Sequence, residues 1–154
     1  VLLLHNNVMV VLWYGSQDPA VCRRLYETAS SAAKTSGAGK VAAVSIVKNR
    51  TVGAPSPAAR DALARLHEDP ERVIHRSALV FARTGFVASI VRSIVLSLRQ
   101  RASRRDGHDI FSTPEAALAW VTQDLPVARG TSVSTSALLS AIEQQDAQRL
   151  ASVA

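Results

Sequence analysis

Lys40-Val41-Ala42-Ala43-Val44-Ser45-Ile46-Val47-Lys48 is the stretch on which the arrangement of the whole chain turns. It is too short for a buried helix and lacks the strict alternation of a strand with one wet face. It therefore reads as a strand covered on both faces, in the middle of a sheet. Such a strand demands neighbours on either edge and helices above and below, so its flanks were read for alternating strands and helices.

Upstream, Ser36-Gly37-Ala38-Gly39 breaks a helical pattern carried by Val21/Cys22, Leu25, Ala29 and Ala32/Ala33, and Asp18-Pro19 supplies an N-cap followed by proline at the first helical position. Before it, residues 1–5 and 8–14 are two β-rich runs parted by Asn6-Asn7, a pair that tolerates the positive φ of a tight hairpin. Downstream, Ser56-Pro57 repeats the cap-and-proline signal for a helix with Ala59, Ala62, Leu63 and Leu66 on its stripe, ending before Pro70. A further buried strand is expected over residues 77–83, then a helix with Val87, Ile90, Val91, Ile94, Val95 and Leu98 on one face. Asp106-Gly107 turns into a short strand near residues 109–111, and Thr113-Pro114-Glu115 caps a helix carrying Ala117, Leu118, Trp120 and Val121, with Glu115 at the positive end of its dipole.

The order ββαβαβαβα predicts an α/β sandwich: a mixed, mostly parallel sheet of about five strands with four helices, the parallel strands joined by right-handed crossovers. This domain is expected over residues 1–126. After Pro126 the composition shifts to Ala, Gly, Ser and Thr, so residues 127–154 read as a linker and a tail helix with Leu139, Ile142 and Leu150. Its few apolar positions cannot hold a helix alone in water, leaving it to pack on its own domain, pack on a second copy in a homo-oligomer, or fray.

The 154 residues, 47% hydrophobic and 19% charged, fit one folded domain rather than a disordered chain. Cys22 is the only cysteine, which rules out an internal disulfide and favours a reducing compartment, so the cytoplasm is the expected location. The opening Val1-Leu2-Leu3-Leu4 is too short and lacks the basic flank of a signal peptide, while the missing initiator Met leaves room for an upstream segment. No run reaches the length of about 18 apolar residues that a membrane span needs.

His5, His67, His75 and His108 contain no pair at i, i+2 or i, i+4, so no zinc set is completed and all four read as exposed or loop residues. The 36–40 stretch resembles a phosphate loop but has Lys34 where glycine is required and Val41 where Ser or Thr is, and it runs from helix to strand; a glycine C-cap explains it. Cys22 has no activating base in sequence and reads as a small core residue. No cofactor is implied and the chain is expected not to be an enzyme.

Most of the 18 basic residues behind the formal net charge of +6 are dispersed, and the one concentration is Arg99, Arg101, Arg104 and Arg105, joined by Arg92. These fit either an anionic partner or a solvated helix end whose dipole favours cations. The two Trp, two Tyr and three Phe are not interleaved with these arginines, so no base-stacking platform is evident and nucleic acid is disfavoured.

The element order and the phrase Phe111-Ser112-Thr113-Pro114-Glu115-Ala116-Ala117-Leu118-Ala119-Trp120-Val121 resemble bacterial STAS-like domains, the anti-sigma-factor antagonist superfamily. In many of these a short last strand leads into a pattern like F-x-x-x-E-E-A-x-x-W-L, and Phe111, Glu115, Ala116, Ala117, Leu118 and Trp120 fall in that register, the likeness covering roughly residues 5–125. The resemblance implies a non-enzymatic regulatory module of a bacterial signalling pathway, docking another protein, a regulator or kinase-like partner, through the loop after the central strand and the next helix start. In the antagonist branch that helix opens with an Asp-Ser-Ser-Gly-like motif phosphorylated on serine. Here Thr51-Val52-Gly53-Ala54-Pro55-Ser56-Pro57 lacks the Asp and the Ser-Gly pair, and only Ser56 stands as a phosphosite candidate, against plain N-capping.

The expected partner-facing surface is Val52, Gly53, Ser56 and Arg60 with Thr84, Gly85 and Phe86, since open α/β sheets bind at their carboxyl edge. The alternative is a binding domain for a lipid or anionic small molecule in a cleft beside the helix over residues 86–99, using the arginines at its end.

Overall fold

The computed structural model describes residues 1–15, 18–48, 56–59, 61, 73–81, 107–127 and 132–152. The chain is α/β, with a five-stranded mixed sheet in the order β1-β2-β3-β4-β5. The strands are β1 (Leu2–His5), β2 (Val8–Trp13), β3 (Val41–Val47), β4 (Ile74–Val80) and β5 (His108–Phe111). β1 and β2 are antiparallel, and β3, β4 and β5 each run parallel to the strand before. The apolar run between the two lysines is thus the central strand, as its composition requires.

Asn6 and Asn7 make the hairpin turn with His5 opposite Val8, and Asn6 alone of the two takes a left-handed φ, 53°. Asn7 is buried because its side chain is a tie: Nδ2 donates to Lys40 O (3.1 Å) and Pro126 O (2.6 Å). Its own carbonyl accepts from the Ala42 N–H at 2.9 Å, which starts the β2/β3 ladder.

All six residues of β2 are buried, because both faces are covered. On one face, Met9, Val11 and Trp13 pack with Cys22, Leu25, Ala29, Ala32 and Ala33 of α1 (Pro19–Thr35). On the other, Val8, Val10 and Leu12 pack with α2 (Pro114–Thr122) and α3 (Thr135–Ala151) through Ala117, Leu118, Val121, Leu138 and Ile142. Each such valine or leucine contributes about 1.5–3 kcal/mol by leaving water.

The caps follow the sequence signals. Asp18 accepts from the Ala20 N–H, Thr113 from Ala116 and Ser134 from Ala137, each side chain meeting an N–H that the helix itself leaves unpaired. α1 ends where Gly37 and Gly39 both take φ +66°, and the Gly39 N–H closes on Ala33 O at 3.1 Å. The 36–40 stretch is a helix terminator and not an anion cradle.

One reading needs correction. The fourth strand begins at Ile74, not at residue 77, and Phe81 lies beyond its end. Val41 pairs with Ile74 and Ala43 with Ser77, so His75 and Arg76 enter the strand at an irregularity of the register, despite their polarity. Arg76 is accommodated because its guanidinium lies 5.2 Å from the Trp120 ring centre and donates to Trp120 O (2.9 Å) and Gln123 Oε1 (3.1 Å). Of the three dispositions open to the tail helix, it takes the first, burying Leu138 and Ile142 in the core of its own sheet. Leu139 packs only at the margin and Leu150 is 74% exposed. The helix expected over residues 86–99 lies outside the described residues.

Candidate functional site at the carboxyl edge of the sheet

Among the residues read as a partner surface, Ser56 is described; Val52, Gly53, Arg60, Thr84, Gly85 and Phe86 lie outside the described residues, as do Arg92, Arg99, Arg101, Arg104 and Arg105. Ser56 is exposed, and its Oγ accepts from the Ala59 N–H at 3.2 Å. Ala59 itself is fully buried in the core beneath α1. Ser56 therefore caps a helical start whose next turn is anchored to the sheet, with its hydroxyl side open to solvent.

The structure assembles a group of polar residues at the carboxyl ends of β2 and β3. Tyr14 follows the last residue of β2 and Lys48 the last of β3, and the ladder continues one step past β3 as the Lys48 N–H donates to Trp13 O (2.9 Å). Both side chains meet one carboxylate of α3: Tyr14 Oη donates to Asp146 Oδ1 (2.7 Å) and Lys48 Nζ to Asp146 Oδ2 (2.5 Å). The Arg149 guanidinium, one helical turn on, lies 5.3 Å from the centre of the Tyr14 ring. No sequence pattern links these positions, since Tyr14 and Asp146 stand 132 residues apart.

The environment moves the Tyr14 phenol up to about 12, through burial first, then the hydrogen bond to Asp146 and its negative charge, with Arg149 pulling the other way. A folded pKa above the unfolded value of 10 means that the neutral phenol is favoured by the fold. Its contribution is complete below pH 10 and is lost as pH rises through about 12. We expect phenolate absorbance to show a tyrosine titrating near 12 that falls toward 10 in Asp146→Ala, with Tyr14→Phe assigning the signal. A Tyr14 titration unmoved by Asp146→Ala would remove the carboxylate as a cause.

The remaining polar contacts are dispersed. Ser77 Oγ and His108 Nδ1 lie 2.5 Å apart on adjacent strands. The histidines read as exposed or loop residues are otherwise placed: His5, His75 and His108 are half-buried strand residues, and His67 lies outside the described residues. His108 meets Ser77 of the neighbouring strand, and His75 Nε2 approaches Gln123 O, at the C-cap of α2, at 3.4 Å. Cys22 is buried on the sheet-facing side of α1, and its thiol is pushed up by that burial and then by Asp18, which disfavours the reactive thiolate. Trp13 Nε1 is buried with no acceptor among the described residues.

The Phe111-to-Trp120 phrase has a packing role. Leu118 is fully buried, and the Phe111 and Trp120 rings pair at 5.5 Å and 45° over the margin of the core. Glu115 is exposed in the first turn of α2, where its charge suits the dipole. Among the described residues no cluster of three or more His, Cys, Asp or Glu could hold a metal ion, and no helix is long and apolar enough to cross a membrane. No family model, no curated protein and no solved structure matches this chain.

Proposed function

We propose that the chain is a non-enzymatic regulatory module of a bacterial signalling pathway, STAS-like in kind and acting in the cytoplasm. It docks a protein partner through the carboxyl edge of the sheet, around residues 52–60. The antiparallel hairpin followed by parallel strands, and the Phe111-to-Trp120 packing, support the family reading.

The observation that carries the functional reading is the position of Ser56. Its hydroxyl is exposed at the start of a helical turn whose Ala59 is locked into the core. A phosphoryl group at this oxygen meets backbone N–H groups and the positive end of a helix dipole, while changing the charge of the edge by nearly two units.

The test is an affinity capture from native bacterial cytosol with wild type and Ser56→Asp, read by mass spectrometry for bound proteins and for modification of Ser56. Aspartate is as good an N-cap as serine, so the variant alters charge without removing the cap. The expected result is one partner retained by wild type and lost with Ser56→Asp. Capture of the same partner by both proteins, with Ser56 unmodified, would overturn the switch.

A further inference from the structure

Tyr14 and Lys48 extend from the ends of two adjacent parallel strands, so the sheet fixes their separation before any acid arrives. The carboxylate they hold comes from a much less anchored element. The last residue of α3 in the core is Ile142; beyond it, residues 143–152 are exposed apart from half-buried Gln145 and Asp146. Two strand-borne donors are thus organised by the fold, while their acceptor rides on a helical segment with almost no apolar hold on the sheet. A segment with so few buried contacts opens at low cost relative to global unfolding.

We propose that Tyr14 Oη and Lys48 Nζ form a receptor for a carboxylate of an acidic partner segment, and that Asp146 occupies this receptor in the free protein. The inference rests on the docking reading above, and it gives that surface a partner chemistry and a built-in competitor. The bound acid accepts one hydrogen bond from a phenol and one charge-assisted bond from an ammonium, the pair that Asp146 now accepts. A chain of net charge +6 also favours approach of an acidic segment. Displacing Asp146 frees the last turns of α3 at the edge where the partner sits, so partner binding and helix release are coupled.

The probe is the peptide tetraglutamate, titrated into wild type, Asp146→Ala and Asp146→Ala/Lys48→Met and followed through the NMR resonances of Tyr14 and Lys48. Removing an internal occupant raises apparent affinity by the inverse of the vacant fraction. Asp146→Ala is expected to bind about ten-fold more tightly than wild type. The gain should vanish with Lys48→Met and weaken in high salt. Equal affinities of Asp146→Ala and wild type, with the Tyr14 titration shifted to show a vacated receptor, would overturn the proposal. Should the alanine variant unfold, Asp146→Asn removes the charge at constant shape and is read the same way. Lys48-dependent peptide binding, with cytosolic capture insensitive to Ser56→Asp, would keep the receptor and overturn the Ser56 switch alone.

Discussion

Leu118→Ala is expected to destabilise the protein by about 2–5 kcal/mol, a large share of the roughly 5–15 kcal/mol typical of a single domain. Leu118 is fully buried and lies in one cluster with Val8, Val10 and Leu12 of β2, Val44 of β3, and Leu138 and Ile142 of α3. Truncation removes the transfer energy of its branched end and leaves a void, because the sheet below is rigid and α3 above is held by its own contacts. The surrounding atoms can close that void only if α2 or α3 moves. Urea unfolding should therefore give a lower midpoint with little change in slope. A cost below about 1 kcal/mol would mean that α3 collapses freely onto the gap, and would argue that its docking is loose along its whole length.

Asn7→Ala should be nearly as damaging, although it removes no apolar group. Asn7 Nδ2 satisfies Lys40 O, at the entry to the central strand, and Pro126 O, in the segment between α2 and α3. Without the amide, two carbonyls beside a buried position lose their donor, at about 1–3 kcal/mol for each that water cannot reach. Lys40 is half exposed and water can replace the amide there in part, which brings the expectation to about 2–3 kcal/mol, or a fall in Tm of about 5–10 °C. Asn7→Asp should cost more than Asn7→Ala, because it sets a carboxylate against two carbonyl oxygens. Thermal unfolding of the two variants side by side checks the order, and equal melting temperatures would assign the effect to the turn rather than to the tie.

The fold was legible wherever local chemistry and tertiary packing agree. Asn6-Asn7, Asp18-Pro19 and Thr113-Pro114 mark a turn and two helix starts whose side-chain or backbone geometry is the geometry those residues favour. The start of β4 was hidden because His75 and Arg76 look like a loop until Trp120 and Gln123 are brought over them, and nothing local announces that arrangement. The candidate site was less legible still. Ser56 could be found from its cap-and-proline signal, but Tyr14, Lys48 and Asp146 each look like ordinary surface residues. Lys48 and Asp146 are separated by 98 residues, and only the parallel strand ends and the return of α3 bring them together. The buried amide of Asn7 was visible as a turn residue and invisible as a tie, since its partner at Pro126 is 119 residues away.

The strand order β1-β2-β3-β4-β5 has a further consequence for how the molecule is made. Each strand pairs with the one translated just before it, so the sheet can extend in the direction of synthesis without waiting for a distant partner. Among the described residues, the last two helices break this rule, reaching back across the sheet to β2. Until they emerge, Val8, Val10 and Leu12 of β2 and Val44 and Ile46 of β3 lack the cover that these two helices give them, so a ribosome stalled before residue 114 should display more apolar sheet surface to chaperones than one stalled after residue 152. Arrival of α2 and α3 ends that exposure.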